Sequence, residues 1–514
     1  MTPPALGVGV TYFGGLDPVL ERCAGKIDVV EVEPQTLWYL DADGTYRPDR
    51  EALDHLAGHP ATKLMHGIGF PVGGTRPPDP RQVPPLLDMA RALRPPWMSE
   101  HLSFNRAAGT TGAGSEFNTG FLLPPRQNAA GVAAAAASIR AMADALPMPL
   151  AVETGVNYLA PRGDEMDDGA FVAAVVEAAD CGILLDLHNL WANEKNGRQS
   201  VEAFLAQIPL DRVWEIHLAG GEEQDGFWLD SHSGPVPDPL DELAARVIPR
   251  LPNLGAILFE IFPAYLESGG LDMLERQIDD LHRLWDRRGR ANRPAPRPAA
   301  AVEPVAEAAT ATPTPETTGP TPEEWENALG ALVVGRPPAD DLGRQFAADP
   351  GIGVIRKLLG EFRAGMAVRT LKLTCRLLLL DRGQEGVRDL LLSYWRQTPP
   401  HLFASAEADG FRRHLAALDL DVPYLAEVLA FESAANATLV DGAARTVAFP
   451  FDPLPVLRAL GEGRLPDKDL VREGSYEVEL TPDGVAATLH GAAPATAADP
   501  PAAARLTSPQ LLHR

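Results

Sequence analysis

The stretch FWLDSHSGPV, residues 227–236, sets Asp230 and His232 one residue apart, with Trp228 before them and Pro235 behind. In extended backbone, residues i and i+2 face the same side, so carboxylate and imidazole converge on a point that both could ligate. Taken alone, an Asp–Ser–His turn reads as a solvated surface loop. What it could do chemically depends on what else the chain brings to it. His66, His101, Glu153, Asp186, His217 and Glu260 each sit at or near the end of a short apolar run, and Asn189 follows Asp186 by three. Singly, each reads as a satisfied structural residue. Together they do not, because the runs contain no matching set of Lys and Arg, and buried uncompensated carboxylates are costly. Four histidines and four carboxylates exceed the needs of one ion, so the set suits two or three metals bridged by a central carboxylate. Imidazole and carboxylate without thiolate suit Fe, Mn or Zn.

The elements that would position these residues are legible as apolar runs. They are LGVGV, IDVVEVE, TKLMHGI, WMSEHLSF, PLAVETG, GILLDLHN, VWEIHLAG and AILFEIF. Between them lie helical patterns such as NAAGVAAAAASIRAMADAL and SVEAFLAQI. Eight runs alternating with helices over this length predict a (β/α)8 barrel. A doubly wound sheet would need a glycine-rich first turn, and GVGVTYFGG fits G-x-G-x-x-G poorly. In the barrel, six consecutive strands deliver one His or carboxylate to the end where active sites are built. His188, if it continues a strand, faces away from that set.

At 514 residues the chain suits two or three domains. Between 293 and 321 it becomes a Pro/Ala/Thr-rich tether without aromatic residues, expected to be disordered. It separates a barrel over 1–292 from a mainly helical α+β domain over 322–492, and a second disordered stretch is expected over 493–514. Thr321 can cap the first helix of the later domain, with Glu324 answering three residues on. A hairpin signal stands at Pro482–Gly484. The net charge of −25 disfavours nucleic acid and an anionic membrane surface as partners. Cys23, Cys181 and Cys375 are far apart and show no metal or disulfide spacing. No secretory or membrane-spanning segment is legible, which predicts a cytoplasmic protein. Oligomeric state is left open, with a homo-oligomer allowed.

The segments HGIGFPVGG, MSEHLSF, VETGVNYL, LLDLHNLWANEKNG, EIHLAGG, LDSHSGPV and LFEIFPAYL span nearly all of the first part. They resemble metal-dependent barrels of the xylose-isomerase-like superfamily, trinuclear zinc apurinic endonucleases among them. The closer resemblance is to the multinuclear non-haem iron-dependent oxidases, related to methanobactin-type biosynthetic oxidases. That resemblance implies two to three iron ions, mixed-valent Fe(II)/Fe(III), with O2 as co-substrate. It implies oxidation of a Cys, or in some members Asp or Asn, in a ribosomally made precursor peptide. Glu153 would bridge two irons; His66 and His101 would complete one, and Asp186, His217 and Glu260 the other. Asn189, Asp230 and His232 would hold a third, labile ion. The nuclease pattern has His where this chain has Asn189, a weaker donor. Glu153, His217, Asp230 and His232 are the expected catalytic residues, with Asn157, Tyr158, Asn193 and Trp228 at the mouth as candidate substrate contacts.

The stretch LLLSYWRQTPPHLFASAEADGFRRHLAALDLDVPYLAEVLAFESAANATL resembles the helical half of the partner proteins that recognise leader peptides for such oxidases. Enzyme and recognition partner would then be fused, the tether raising the local peptide concentration. Alternatives are a helical domain for self-association, a phosphoesterase or sugar isomerase on the same barrel, and a non-catalytic metal-containing binding protein. An isomerase needs a lysine near the metals, and only Lys195 is offered.

Overall fold

The computed structural model of the chain describes residues 2–40, 44–77, 79–109, 115–289, 319–481 and 484–486. Eight strands carry the barrel: β1 (Gly7–Tyr12), β2 (Val29–Val32), β3 (Thr62–Gly67), β4 (Met98–His101), β5 (Leu150–Glu153), β6 (Gly182–Asp186), β7 (Val213–Ala219) and β8 (Ala256–Glu260). They close in the order β1-β8-β7-β6-β5-β4-β3-β2. Neighbours are parallel all round the ring. Each of the eight apolar runs supplies one strand. The helices between them are α1 (Asp17–Arg22), α2 (Arg50–Gly58), α3 (Val83–Leu93), α4 (Ala129–Ala145), α5 (Asp168–Ala179), α6 (Leu187–Lys195), α7 (Val201–Gln207) and α8 (Asp238–Val247), and α9 (Leu266–Trp285) follows the last strand. Strands in such a barrel are buried on both faces, so their sequences are almost continuously apolar. A polar side chain aimed inward therefore stands out: in β7, Glu215 and His217 alternate with Ile216 and Leu218, and all four are buried.

Antiparallel hairpins stand after β4 and after β7. Phe104–Ala108 pairs with Glu116–Leu123 after β4, and Glu222–Gln224 pairs with Phe227–Leu229 after β7.

The chain divides into two compact units, and the division differs from the expected boundary at 321/322. The described residues within 1–38 and 48–356 form the first; those within 39–47 and from 357 on form the second. Helix α10 (Pro322–Val333) opens with the capping box of Thr321 and Glu324, but it packs on the barrel. Buried Glu326 accepts hydrogen bonds from Thr75 N (2.6 Å) and Thr75 Oγ1 (2.5 Å), and Asn327 Oδ1 accepts from Ala108 N (2.8 Å). Trp325 donates to Pro124 O (3.0 Å), lies under the Arg126 and Arg162 guanidinium groups, and meets Phe346 edge-on at 4.7 Å. Helix α11 (Asp341–Ala347) and Asp349 complete this strap, the Asp349 carboxylate accepting from Ala160 N (3.0 Å). An amphipathic pattern announces that a helix buries one face. It does not say against which partner. Truncating Trp325 to alanine removes the largest fully buried side chain of the strap. It should destabilise the barrel unit by about 3–5 kcal/mol, read as a lower denaturant midpoint.

The second unit is mainly helical with an antiparallel sheet. It holds α12 (Pro350–Thr370) from residue 357 on, then α13 (Lys372–Gln397), α14 (Ala404–Ala417), α15 (Leu425–Asp441) and α16 (Pro453–Gly461). Strand Arg445–Phe451 pairs with Glu473–Thr481, which pairs with Gly484–Ala486. Its core gathers Tyr394, Phe411, Val428, Phe431 and Phe449, and Arg363 pairs with buried Glu407 at 2.6 Å. Most of the expected linker (293–321) and the whole expected tail (493–514) lie outside the described residues. All three cysteines are buried and free. Among the described residues no helix is long and apolar enough to cross a membrane.

Candidate metal centre

The carboxyl ends of the strands bring the polar residues together in pairs of neighbours. Register places His101 beside Glu153, Asp186 beside His217, and His66 beside Ser99. Glu153 Oε2 lies 2.6 Å from His101 Nδ1 and 3.2 Å from His66 Nε2, and His66 Nδ1 is 2.8 Å from Ser99 Oγ. Across the barrel His217 sits between carboxylates, with Nδ1 3.2 Å from Glu260 Oε1 and Nε2 3.1 Å from Glu31 Oε1. Thr11 Oγ1 lies 2.8 Å from that same Glu31 oxygen. Three groups have ligand atoms within 4.8 Å of one another: His66/His101/Glu153, Glu153/Asp186/His217 and Glu31/His217/Glu260. Glu153 belongs to two of them.

Asp230 and His232 reach the same centre from the loop after β7. His232 Nε2 lies 3.0 Å from Asp230 Oδ1 and 3.3 Å from Glu260 Oε2. The backbone of His232 has a φ of +46°, a conformation that non-glycine residues adopt seldom and that clusters at functional sites. Asn189 stands on the first turn of α6, which Asp186 caps by accepting from Asn189 N at 2.8 Å. The Asn189 side chain donates to Glu153 Oε1 at 3.4 Å, and its Oδ1 is buried without a hydrogen bond.

The mouth residues are largely engaged with each other. Asn157 N donates to Asn193 Oδ1 (2.8 Å), Asn157 Oδ1 accepts from Leu159 N (3.0 Å), and Asn193 Nδ2 donates to Gly155 O (3.2 Å). Tyr158 OH accepts from Asp230 N at 3.2 Å, and burial, reinforced by Asp230, pushes its phenol up. Trp228 is half-buried, edge-on to Trp191 at 4.9 Å, with Lys195 Nζ 4.4 Å above both rings.

Four residues of this centre carry no expectation from sequence: Glu31, Glu33, Glu100 and Glu215. Glu31 and Glu33 were signalled by the two-residue alternation of VVEVE, and Glu215 by its spacing from His217. Glu100 was hidden by its neighbour His101. His188 corrects a stated expectation. The strand ends at Asp186 and a helix begins, so His188 turns inward on α6, fully buried, with Nδ1 3.1 Å from Asp230 Oδ1.

The charge balance is one-sided. Glu31, Glu33, Glu100, Glu153, Asp186, Glu215, Asp230 and Glu260 surround the centre, and all but half-buried Asp230 are buried. Among the described residues, every ion pair these eight make is to a histidine. Burial pushes Glu33 and Glu100 up to about 7, the nearby histidines opposing. Burial, with Asp230, Glu153 and Glu260, holds Asp186 well above the carboxylate range. Burial lowers His66 and His232, but Glu153 in one case and Asp230 with Glu260 in the other outweigh it and raise both to about 10. Glu260, despite burial, is held at about 2 by His217 and His232. Glu153 Oε2, Asp186 Oδ2, Asn189 Oδ1, both His217 ring nitrogens, Asp230 Oδ1 and His232 Nδ1 are buried without a well-directed hydrogen bond. Orphaned atoms converging among buried carboxylates and imidazoles are what a bound cation would satisfy, so this donor set fits metal.

The closed parallel ring of eight strands is a TIM barrel whose buried His/carboxylate groups could hold metal at the strand ends. Solved structures share the barrel at low similarity. D-psicose 3-epimerase is 13% identical with a TM-score of 0.35, covering 55% of this chain and 97% of that one. Endonuclease IV from Thermus thermophilus is 17% identical with a TM-score of 0.34, covering 55% and 99%. The chain itself belongs to the RiPP precursor modification enzyme family MbnB/TglH/ChrH, whose model matches residues 7–263. A UPF0276 protein of Streptomyces avermitilis is 32% identical over 286 residues, covering 55% of this chain and 56% of that protein. One from Shewanella loihica is 30% identical over 246 residues, covering 48% and 83%. The chain thus spans little more than half the length of the Streptomyces relative.

Proposed function

We propose that the protein is an O2-dependent multinuclear iron oxidase that modifies a Cys, Asp or Asn residue of a ribosomally made precursor peptide. One observation carries this reading: in a chain of this family, the Glu153 carboxylate is shared between two groups of potential ligands whose carboxylates, among the described residues, pair with histidine and with no Lys or Arg. His66 and His101 with Glu153 would hold one ion, and Glu153 with Asp186, His217 and Glu260 a second. Asn189, Asp230 and His232 would hold a third. Iron bound there would supply one-electron redox chemistry toward O2.

The chain's own residues do the rest. The barrel wall keeps the ligands dry, and Phe262, 40% exposed and 4.8 Å from the His232 ring, marks the open side where a peptide would enter. Tyr158, through the Asp230 backbone, ties the loop after β5 to the ligand arm after β7. Lys195, the one lysine a sugar isomerase could have used, is stacked on Trp191 and Trp228 rather than on the carboxylates. The second unit would recruit the leader segment of the peptide, keeping the substrate on the same chain in a reducing cytoplasm.

The test is direct. Protein purified without oxygen and loaded with iron is mixed aerobically with the short Cys-, Asp- or Asn-containing peptide encoded beside its gene. The expected result is two to three irons per chain and a changed peptide mass. An unchanged mass, or zinc in every position of every preparation, overturns the reading.

A further inference from the structure

The hairpin after β7 is fastened to α6 at several points, and the fastening leads to the proposed third ion. Its turn, Asp225–Gly226, has positive φ at both residues (53° and 83°), the geometry of a tight two-residue hairpin. Asn196, the C-cap of α6, holds the Trp228 backbone both ways: Trp228 N donates to its Oδ1 (2.8 Å) and its Nδ2 donates to Trp228 O (3.0 Å). The Trp228 indole N–H then donates to His188 Nε2 at 3.0 Å. Hairpin and ring meet without slack: a Cβ on Gly221 would lie 2.5 Å from His188 Nε2 and 2.6 Å from Trp228 Nε1.

This contact decides where the His188 proton sits. A nitrogen that accepts from an indole carries no hydrogen of its own, so the proton of the neutral ring is on Nδ1. Nδ1 lies 3.1 Å from Asp230 Oδ1. Trp228 therefore orients His188, and His188 stands in contact with the carboxylate that begins the Asp230–His232 arm, neither Nδ1 nor Oδ1 having a better-directed partner. We infer that Trp228 and His188 are positioning residues for Asp230, so that occupancy of the third cation position depends on the hairpin being seated on α6. This rests on the metal reading above and adds a control that the ligands alone do not provide. His188 is read here as a positioning residue: its Nε2 is taken by the Trp228 indole and its Nδ1 faces Asp230.

The test uses the full chain and counts metal rather than turnover. Metal-free wild type, Trp228→Phe and Gly221→Ala proteins are titrated with Mn2+, and total bound ions and the affinity of the weakest are measured. Partners that orient ligands contribute about 10- to 100-fold to metal affinity. The weakest ion should therefore bind about 10- to 100-fold less tightly in Trp228→Phe, which keeps the ring and loses the N–H, with the tighter ions unchanged. Gly221→Ala, which keeps the indole but unseats the hairpin, should show the same selective loss. Unchanged affinity for the weakest ion in Trp228→Phe overturns the inference. So does loss of all ions together, which would mark Trp228 as a general support of the barrel. Failure of wild type to bind more than two ions would instead remove the third position itself, and is told apart because it appears before any substitution is made.

Discussion

Replacing Glu153 by alanine is expected to cost more than one metal ion per chain and to abolish peptide modification, whereas His232→Ala should cost at most one ion. The difference follows from position. Glu153 Oε2 lies within 3.2 Å of both His66 and His101, and the carboxylate also joins Asp186 and His217 in a second potential ligand group. Removing it leaves two imidazoles, one of them held near 10 by that carboxylate, facing each other at 3.1 Å. Breaking a buried charge pair by deleting one partner costs about 3–5 kcal/mol, so metal-free Glu153→Ala should also unfold at lower denaturant. His232 stands at the edge of the centre, against Phe262 and on the hairpin arm, and bridges nothing between the inner groups. Elemental analysis of the two variants after identical loading decides the matter. Equal metal counts would contradict a bridging Glu153.

How much of this was legible in the sequence depends on which physical signal each feature leaves. The barrel was legible because parallel strands buried on both faces read as uninterrupted apolar runs, and a lone His or carboxylate at the end of such a run is conspicuous. The six strand-end residues stand out that way, and Asp230-x-His232 by its i, i+2 spacing in the loop after the seventh strand. Glu31, Glu33 and Glu215 were equally visible by alternation, but they precede or repeat a more obvious donor and were passed over. His188 was misplaced because the helix starts at the residue after Asp186, and the change from a two-residue to a 3.6-residue period reverses where a side chain points. The strap formed by α10 and α11 was legible as helix, down to its capping box. Its partner was not, since Glu326 finds Thr75 and Asn327 finds Ala108 across contacts of more than two hundred residues, and no local pattern encodes such a pairing. A composition break at the tether marked a change in the chain, while packing set the boundary of the unit some thirty-five residues later.

Those buried carboxylates make stability a function of both pH and metal, with opposite slopes. In the metal-free protein, Glu33 and Glu100 titrate at about 7 rather than 4.5. Between those values the folded state keeps protons that the unfolded chain releases, so stability falls as pH rises. His66 and His232 are raised to about 10 from 6.5. Their contribution is complete below about pH 6.5 and is lost as pH rises through 10, which has the same sign. Only the lowered groups act the other way. Glu260, held at about 2, contributes stability present above 4.5 and lost as pH falls through 2. Each raised carboxylate is worth at most about 3.5 kcal/mol across its window, at about 1.4 kcal/mol per pH unit. The metal-free protein should therefore be most stable at mildly acid pH and weaken steadily toward alkaline pH. A divalent cation selects the deprotonated forms of these same groups, so its affinity rises with pH and its binding releases protons. At a thousandfold excess over its dissociation constant one ion adds about 4 kcal/mol. Urea denaturation of EDTA-treated and Mn2+-loaded protein from about pH 5 to about pH 9 should give curves that diverge as pH rises, with acid released on loading at neutral pH. Parallel curves with no proton release would mean that the cation does not sit among these carboxylates and histidines.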